Sequence, residues 1–245
     1  GITMGGGVGI SLPCEYRIAT EATRLAMPET GIGLFPDVGG GWYLSRLPGR
    51  VGQFMALTGA RLDASECLYL GLATNYVEQS SLEELHDRIL KAPSRLKGTL
   101  GSVSATPPEA KIEANLAAIT RLFASDKLED VLAALEADES DWAKTELATL
   151  QSKSPLSCKV SMRLLAEGAA RSSFAEEMRA EYALAGRIVR THDFREGVRA
   201  LLIDKDNSPQ WDPPTPEQVD DEMLDVLFAP LPDREAWTPF PETGE

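Results

Sequence analysis

Through the first eighty residues a glycine or proline recurs every few positions, which restricts this stretch to short elements joined by tight turns. Residues 15–20 alternate polar and apolar side chains and read as a strand, as does 24–27. Residues 42–47 and 51–57 read as helices split by Pro48-Gly49, and Thr58-Gly59 closes the second. Asp63 and Glu66 have the spacing of a capping box. They predict a helix over 64–69, ended by Gly71 and followed by a strand over 74–78. Strands and helices in alternation predict βα units and an α/β layered fold.

The second half changes character. Pro93 to Pro108 is polar and reads as a connection, and from Glu109 onward the chain is almost wholly helix-forming. Leu116, Ile119, Leu122 and Phe123 fall at helical spacing, as do Leu128, Val131, Leu132 and Leu135. Further helices are predicted over 158–168 and 174–189, and the proline-rich tail from Pro213 is expected to wrap the surface or fray. The expected division is an α/β core over 1–92 and a helical region with its tail over 93–245.

Composition narrows the function. With 24 Lys+Arg against 38 Asp+Glu the net charge is −14, which argues against a nucleic-acid partner, since affinity for phosphate backbones rests on clustered cations. A locally basic pocket for an anionic small molecule stays open. No apolar run approaches the roughly 20 residues of a membrane span, so no membrane partner is expected. Three cysteines cannot form a dense disulfide framework, and a reducing compartment is the default. Cys67 and Cys158 read as small core residues. The two histidines, His86 and His192, lie outside any metal-ligand spacing, and no metal is expected. There is no nucleophile elbow, phosphate-binding loop or dinucleotide fingerprint. Any catalysis must therefore rest on carboxylates and backbone amides.

Two places could supply them. The run Gly5-Gly6-Gly7-Val8-Gly9 reads as a turn feeding a helix. Its amides could receive a developing oxyanion, or the run could simply allow close backbone packing. The segment from Met27 to Asp37 carries two acids, Glu29 and Asp37, each after a proline and among Met, Ile, Leu and Phe. Lost solvation should raise their pKa values toward the range of proton transfer. The competing role is helix capping, most seriously for Asp37 ahead of Val38-Gly39-Gly40-Gly41. His192-Asp193 reads as structural, because adjacent residues rarely face each other.

Three phrases carry a resemblance: Gly5-Gly6-Gly7-Val8-Gly9; Ala26 through Asp37 with Val38-Gly39-Gly40; and His192 through Asp206 with Ser208-Pro209 and Trp211. They resemble the enoyl-CoA hydratase/isomerase (crotonase) superfamily, and within it the branch that hydrolyses 3-hydroxyisobutyryl-CoA. The match is strong over residues 1–80 and 155–212. The resemblance implies a spiral of ββα turns, present here in part, followed by a helical C-terminal region. It implies an acyl-CoA substrate, with coenzyme A entering as part of that substrate and no separate cofactor. It places an oxyanion-hole amide at Gly6 and substrate-binding, catalytic carboxylates at Glu29 and Asp37. The second oxyanion amide and an upstream part of the CoA site are expected from chain preceding Gly1.

The reaction class follows from one departure. Hydratases of the superfamily use two glutamates; Glu29 matches the second, but Gly9 stands where the first would be. Asp37 stands where they usually carry a small residue. A Glu/Asp pair with an oxyanion hole suits thioester hydrolysis, Glu29 either activating water or attacking directly. The expected activity is release of CoA from a short branched 3-hydroxyacyl thioester, in valine breakdown. The alternatives are a hydratase or isomerase with altered acids, and a catalytically incomplete fragment or helical interaction module. Assembly as a homo-oligomer is an expectation from the superfamily. So is a cytoplasmic location, or the mitochondrial matrix in a eukaryote.

Overall fold

The computed structural model describes residues 1–237. Its contacts group the chain into two compact units, residues 1–26 with 61–117, and residues 27–60 with 118–237. Each is discontinuous in sequence, whereas the division expected at residue 92 runs along it.

In the first unit, β1 (Ile2–Met4) leads through α1 (Gly6–Ser11) to β2 (Ile18–Ala19) and β3 (Arg24–Ala26). β3 lies parallel to β1, with Thr3 opposite Leu25, and Leu25 makes an antiparallel bridge to Leu62. β2 pairs in parallel with β4 (Asn75–Tyr76), Ala19 opposite Tyr76. These strands are shorter than the alternation predicts. Side-chain bonds replace ladder bonds at the end of the β2–β4 pair: the Arg17 guanidinium donates to the carbonyls of Leu72 (2.9 Å) and Gly71 (3.1 Å), and the Arg17 amide to the Thr74 hydroxyl (2.8 Å).

The remaining helices of both units are numbered in chain order from here. α2 (Gly40–Leu44) and α3 (Val51–Thr58) belong to the second unit. α4 (Ala64–Tyr69) has the predicted capping box, the Glu66 amide donating to Asp63 and the Asp63 amide to Glu66. α5 (Leu82–Lys91) buries only Leu85, and His86 is exposed on it. The stretch read as a polar connection contains α6 (Leu96–Val103), which corrects that expectation. Leu96, Leu100 and Val103 are four and three residues apart, so they share one face and pack on Val77 and Leu85. α7 (Ile112–Leu122) carries the chain onward.

The second unit is helical: α2, α3, α8 (Leu128–Ala137), α9 (Asp141–Gln151), α10 (Pro155–Ala170), α11 (Phe174–Ile188), α12 (His192–Val198) and α13 (Asp221–Phe228). α10 packs on α2 and α3. Its Gly168 sits where an added Cβ would meet the Gly41 carbonyl at 2.5 Å, so only paired small residues allow α2 and α10 this close. The core gathers Phe35, Leu156, Val160, Leu164, Leu184, Ile188, Leu224 and Leu227, each fully buried side chain contributing roughly 1.5–3 kcal/mol. The tail from Pro213 does not only wrap or fray. The Asp220 side chain caps α13, accepting from the Met223 amide (2.8 Å), and Leu224 and Leu227 enter the core. The last eight residues of the tail lie outside the described part.

Candidate active site

The turn that carries Glu29 is held from three sides of the second unit. Glu29–Ile32 forms a single 3-10 turn after Pro28, ended by Gly33 in the left-handed region at φ 76°. The Thr30 hydroxyl donates to the Leu57 carbonyl at the end of α3 (3.2 Å), and the Thr30 carbonyl accepts from the Ser154 amide ahead of α10 (3.2 Å). From the third side α12 comes so near that a Cβ on Gly33 would strike the Asp193 carbonyl, and one on Gly197 the Ile32 carbonyl. These contacts give the Glu29 side chain one direction.

Glu29 is 7% exposed, and its Oε2 has no hydrogen-bond partner. No basic side chain pairs with it among the described residues. Burial without a counter-ion disfavours the charged form, and the pKa rises from 4.5 to about 8, a bond from the residue's own amide opposing and the Asp37 charge adding. Asp37 is half-buried in the same unit, and desolvation raises it as well. The competing cap role for Asp37 is not what the structure has: Gly39 is the cap residue of α2, no side chain caps that helix, and Asp37 takes part through its carbonyl, accepting from the Gly40 amide (2.9 Å). The physical reason is that Val38 and Gly39 both turn to positive φ, 54° and 90°, which leads the chain into α2 two residues later than a simple Asp cap requires.

Gly6 lies in the first unit, at the first position of α1 and after Gly5 at φ 48°. Its amide has no acceptor among the described residues, and a Cβ built on it would meet no atom within 4 Å. Gly9 lies one turn farther along α1.

Asp193 is fully buried and accepts from the Ser154 hydroxyl and the Asp212 amide (2.8 Å), while His192 Nε2 lies 2.8 Å from the Gln210 carbonyl. Both neighbours thus hold residues 210–212, and Asp193 also holds Ser154. Cys67 and Cys158 are buried, and desolvation pushes both thiols up to about 12, which leaves no thiolate for chemistry near neutral pH. No group of three or more His, Cys, Asp or Glu among the described residues could hold a metal ion, and none of their helices is long and apolar enough to cross a membrane.

Sequence reasoning missed Glu177 and Glu181 on α11. Both are buried, behind the Asp37 turn, and Glu181 accepts from the Gly39 and Gly41 amides. A signal was there: Glu177, Glu181, Leu184 and Ile188 are spaced as one helical stripe, so two acids occupy positions that the pattern reserves for apolar residues.

Residues 1–228 match the family model described as enoyl-CoA hydratase/isomerase. Over 240 residues the chain is 43% identical to the mitochondrial 3-hydroxyisobutyryl-CoA hydrolase of Gallus gallus, covering 94% of this chain and 62% of the relative. The Homo sapiens protein of the same name is 41% identical over 240 residues, with the same coverage. The chain spans 62% to 64% of the length of the curated relatives it matches. A carnitinyl-CoA dehydratase from Mycobacterium thermoresistibile superposes with a TM-score of 0.89 at 31% identity, over 94% of this chain and 66% of that one. An enoyl-CoA hydratase from Rhodobacter sphaeroides gives 0.87 at 36%, over 97% and 68%.

Proposed function

This chain belongs to the enoyl-CoA hydratase/isomerase family, and we propose that it serves thioester hydrolysis there, releasing CoA and the free acid from 3-hydroxyisobutyryl-CoA, a step of valine breakdown. The observation that carries the reading is Glu29: a buried carboxyl without counter-ion, one oxygen unpartnered, beside a second acid at Asp37. Gly9 in place of the first of the two hydratase glutamates supports hydrolysis over hydration, which needs an acid and a base about the C=C bond. The printed names of the curated relatives support the same choice.

In this reading the thioester carbonyl oxygen is received by backbone amides of an oxyanion hole, which stabilise the tetrahedral intermediate. Ionised Glu29 starts the reaction, by taking a proton from water or by attacking the carbonyl carbon itself. The intermediate collapses with the C–S bond breaking and CoA leaving as thiolate, which takes up a proton; on the route of direct attack, water then hydrolyses the Glu29 anhydride, releasing the free acid and restoring the carboxylate. Asp37 holds the substrate hydroxyl or shares the proton transfer. Coenzyme A is part of the substrate, and the chemistry needs no further cofactor.

Two substrates separate this reading from its alternatives. With 3-hydroxyisobutyryl-CoA the protein as encoded is expected to release free thiol; with crotonyl-CoA it should leave the enoyl absorbance unchanged. Loss of that absorbance without thiol release would point instead to a hydratase. Inertness toward both would favour an interaction module.

A further inference from the structure

Asp37 sits in a turn that its own sequence does not favour. Val38, a β-branched residue, is held at φ 54° and Gly39 at φ 90°. The one bond within the turn is that from the Gly40 amide to the Asp37 carbonyl (2.9 Å). The amides on either side of that donor point elsewhere: Gly39 donates to Glu181 Oε2 (2.8 Å) and Gly41 to Glu181 Oε1 (3.2 Å). A single carboxyl, 3% exposed, thus grips the turn at two points from 140 residues away.

We propose that Glu181 is a positioning residue for Asp37, its carboxyl clamping the Gly39 and Gly41 amides so that the strained turn presents Asp37 to the substrate. The inference rests on the hydrolase reading of the site. A buried carboxyl is costly, and here both of its oxygens are used: two N–H donors need two acceptors, and a carboxamide has only one. Here it is also exposed to charge from several directions. Glu177 faces it from one turn earlier on α11 and is itself paired with Arg171 (2.8 Å); Asp37 faces it from the turn, and the Arg46 charge reaches Glu177 from beyond α2. α13 meets α11 through Leu224 and Leu227. Desolvation, with Glu177 and Asp37 adding to it, raises the Glu181 pKa to about 8 against the two amides that lower it. The Asp37 charge is thus the smallest of these influences that raise Glu181, from the turn that Glu181 holds.

A double-mutant cycle tests this in the protein as encoded. E181Q keeps one acceptor but sets a second N–H against the other amide, and is expected to lower kcat about tenfold with KM within about twofold. In the D37N background the same change should cost less than about twofold, because the residue it positions is already disabled. An equal loss in both backgrounds, or no loss in either, would overturn the proposal. Absence of thiol release by the unsubstituted protein would overturn the hydrolase reading instead. A titration that needs no change at Glu181 then reads whether Asp37 lies close to the clamping carboxyl. Followed by carboxyl-carbon NMR, the Glu181 midpoint near 8 should fall in D37N, and an unmoved midpoint would refute the coupling.

Discussion

Replacing Glu29 by Gln is expected to lower kcat for CoA release by about 100- to 10,000-fold, the range removed with a general base, while KM changes by no more than about threefold. Gln keeps the volume and one oxygen but cannot ionise, so neither water activation nor direct attack remains. The same substitution should stabilise the fold, in a pH-dependent way. The carboxyl has an ordinary pKa of 4.5 and a folded pKa of about 8, so below 4.5 it is neutral in both states and Gln changes little. As pH rises toward 8 the unfolded chain has lost a proton that the folded chain keeps, and stability falls. Gln escapes this loss, and at pH 8 and above E29Q should be more stable by on the order of a few kcal/mol. Thermal unfolding at about pH 5 and pH 8.5 reads the difference. Equal midpoints at the higher pH would mean that Glu29 is not held in a desolvated site.

Gly197→Ala is expected to cost about 2–4 kcal/mol, although Ala is the better helix former. Its methyl would strike the Ile32 carbonyl and lie 2.7 Å from the Ile32 Cα, all of them backbone positions that cannot swing aside. Relief requires α12 and the Glu29 turn to part, against the close contact of Gly33 with Asp193 on the same seam. For a chain of this size the midpoint of thermal unfolding should fall by about 5–15 °C. Gly186→Ala is the control, because nothing lies within 4 Å of its added methyl; it should leave the midpoint unchanged or raise it slightly. If both variants melted together, the packing of α12 on the turn would not be what fixes Glu29. Residual G197A activity should be lower than its folded fraction accounts for, since the surviving molecules carry a displaced turn.

The two acids are legible in the amino-acid sequence because prolines and apolar neighbours mark both of them, and α4 because its capping box is complete in four residues. The α/β organisation with a helical C-terminal region is legible from the change of pattern near residue 100, and the solved relatives bear it out. The rest is hidden for identifiable reasons. α6 lies under a Ser/Thr/Pro composition that outweighs its three spaced apolar residues. β2, β3 and β4 fall within strands read too long from the sequence, over 15–20, 24–27 and 74–78, while the three-residue β1 is too short for alternation to be readable; side chains such as Arg17 and Thr74 complete the β2–β4 pair. The competing cap reading for Asp37 fails because the Val38 backbone adopts a conformation that propensity counts against. Glu181 escapes a local reading because its role depends on amides 140 residues away; the only trace it leaves is a pair of glutamates inside an apolar helical stripe.

The pH dependence of kcat/KM for CoA release tests the central claim most directly. If ionised Glu29 starts the reaction, roughly one molecule in ten is active at pH 7, and the rate should climb with pH through an apparent pKa near 8 in a one-proton step. That step should persist in E181Q and vanish from the residual rate of E29Q. A profile that is flat between about pH 6 and 9, or a step that survives in E29Q, would contradict the assignment of the chemistry to Glu29.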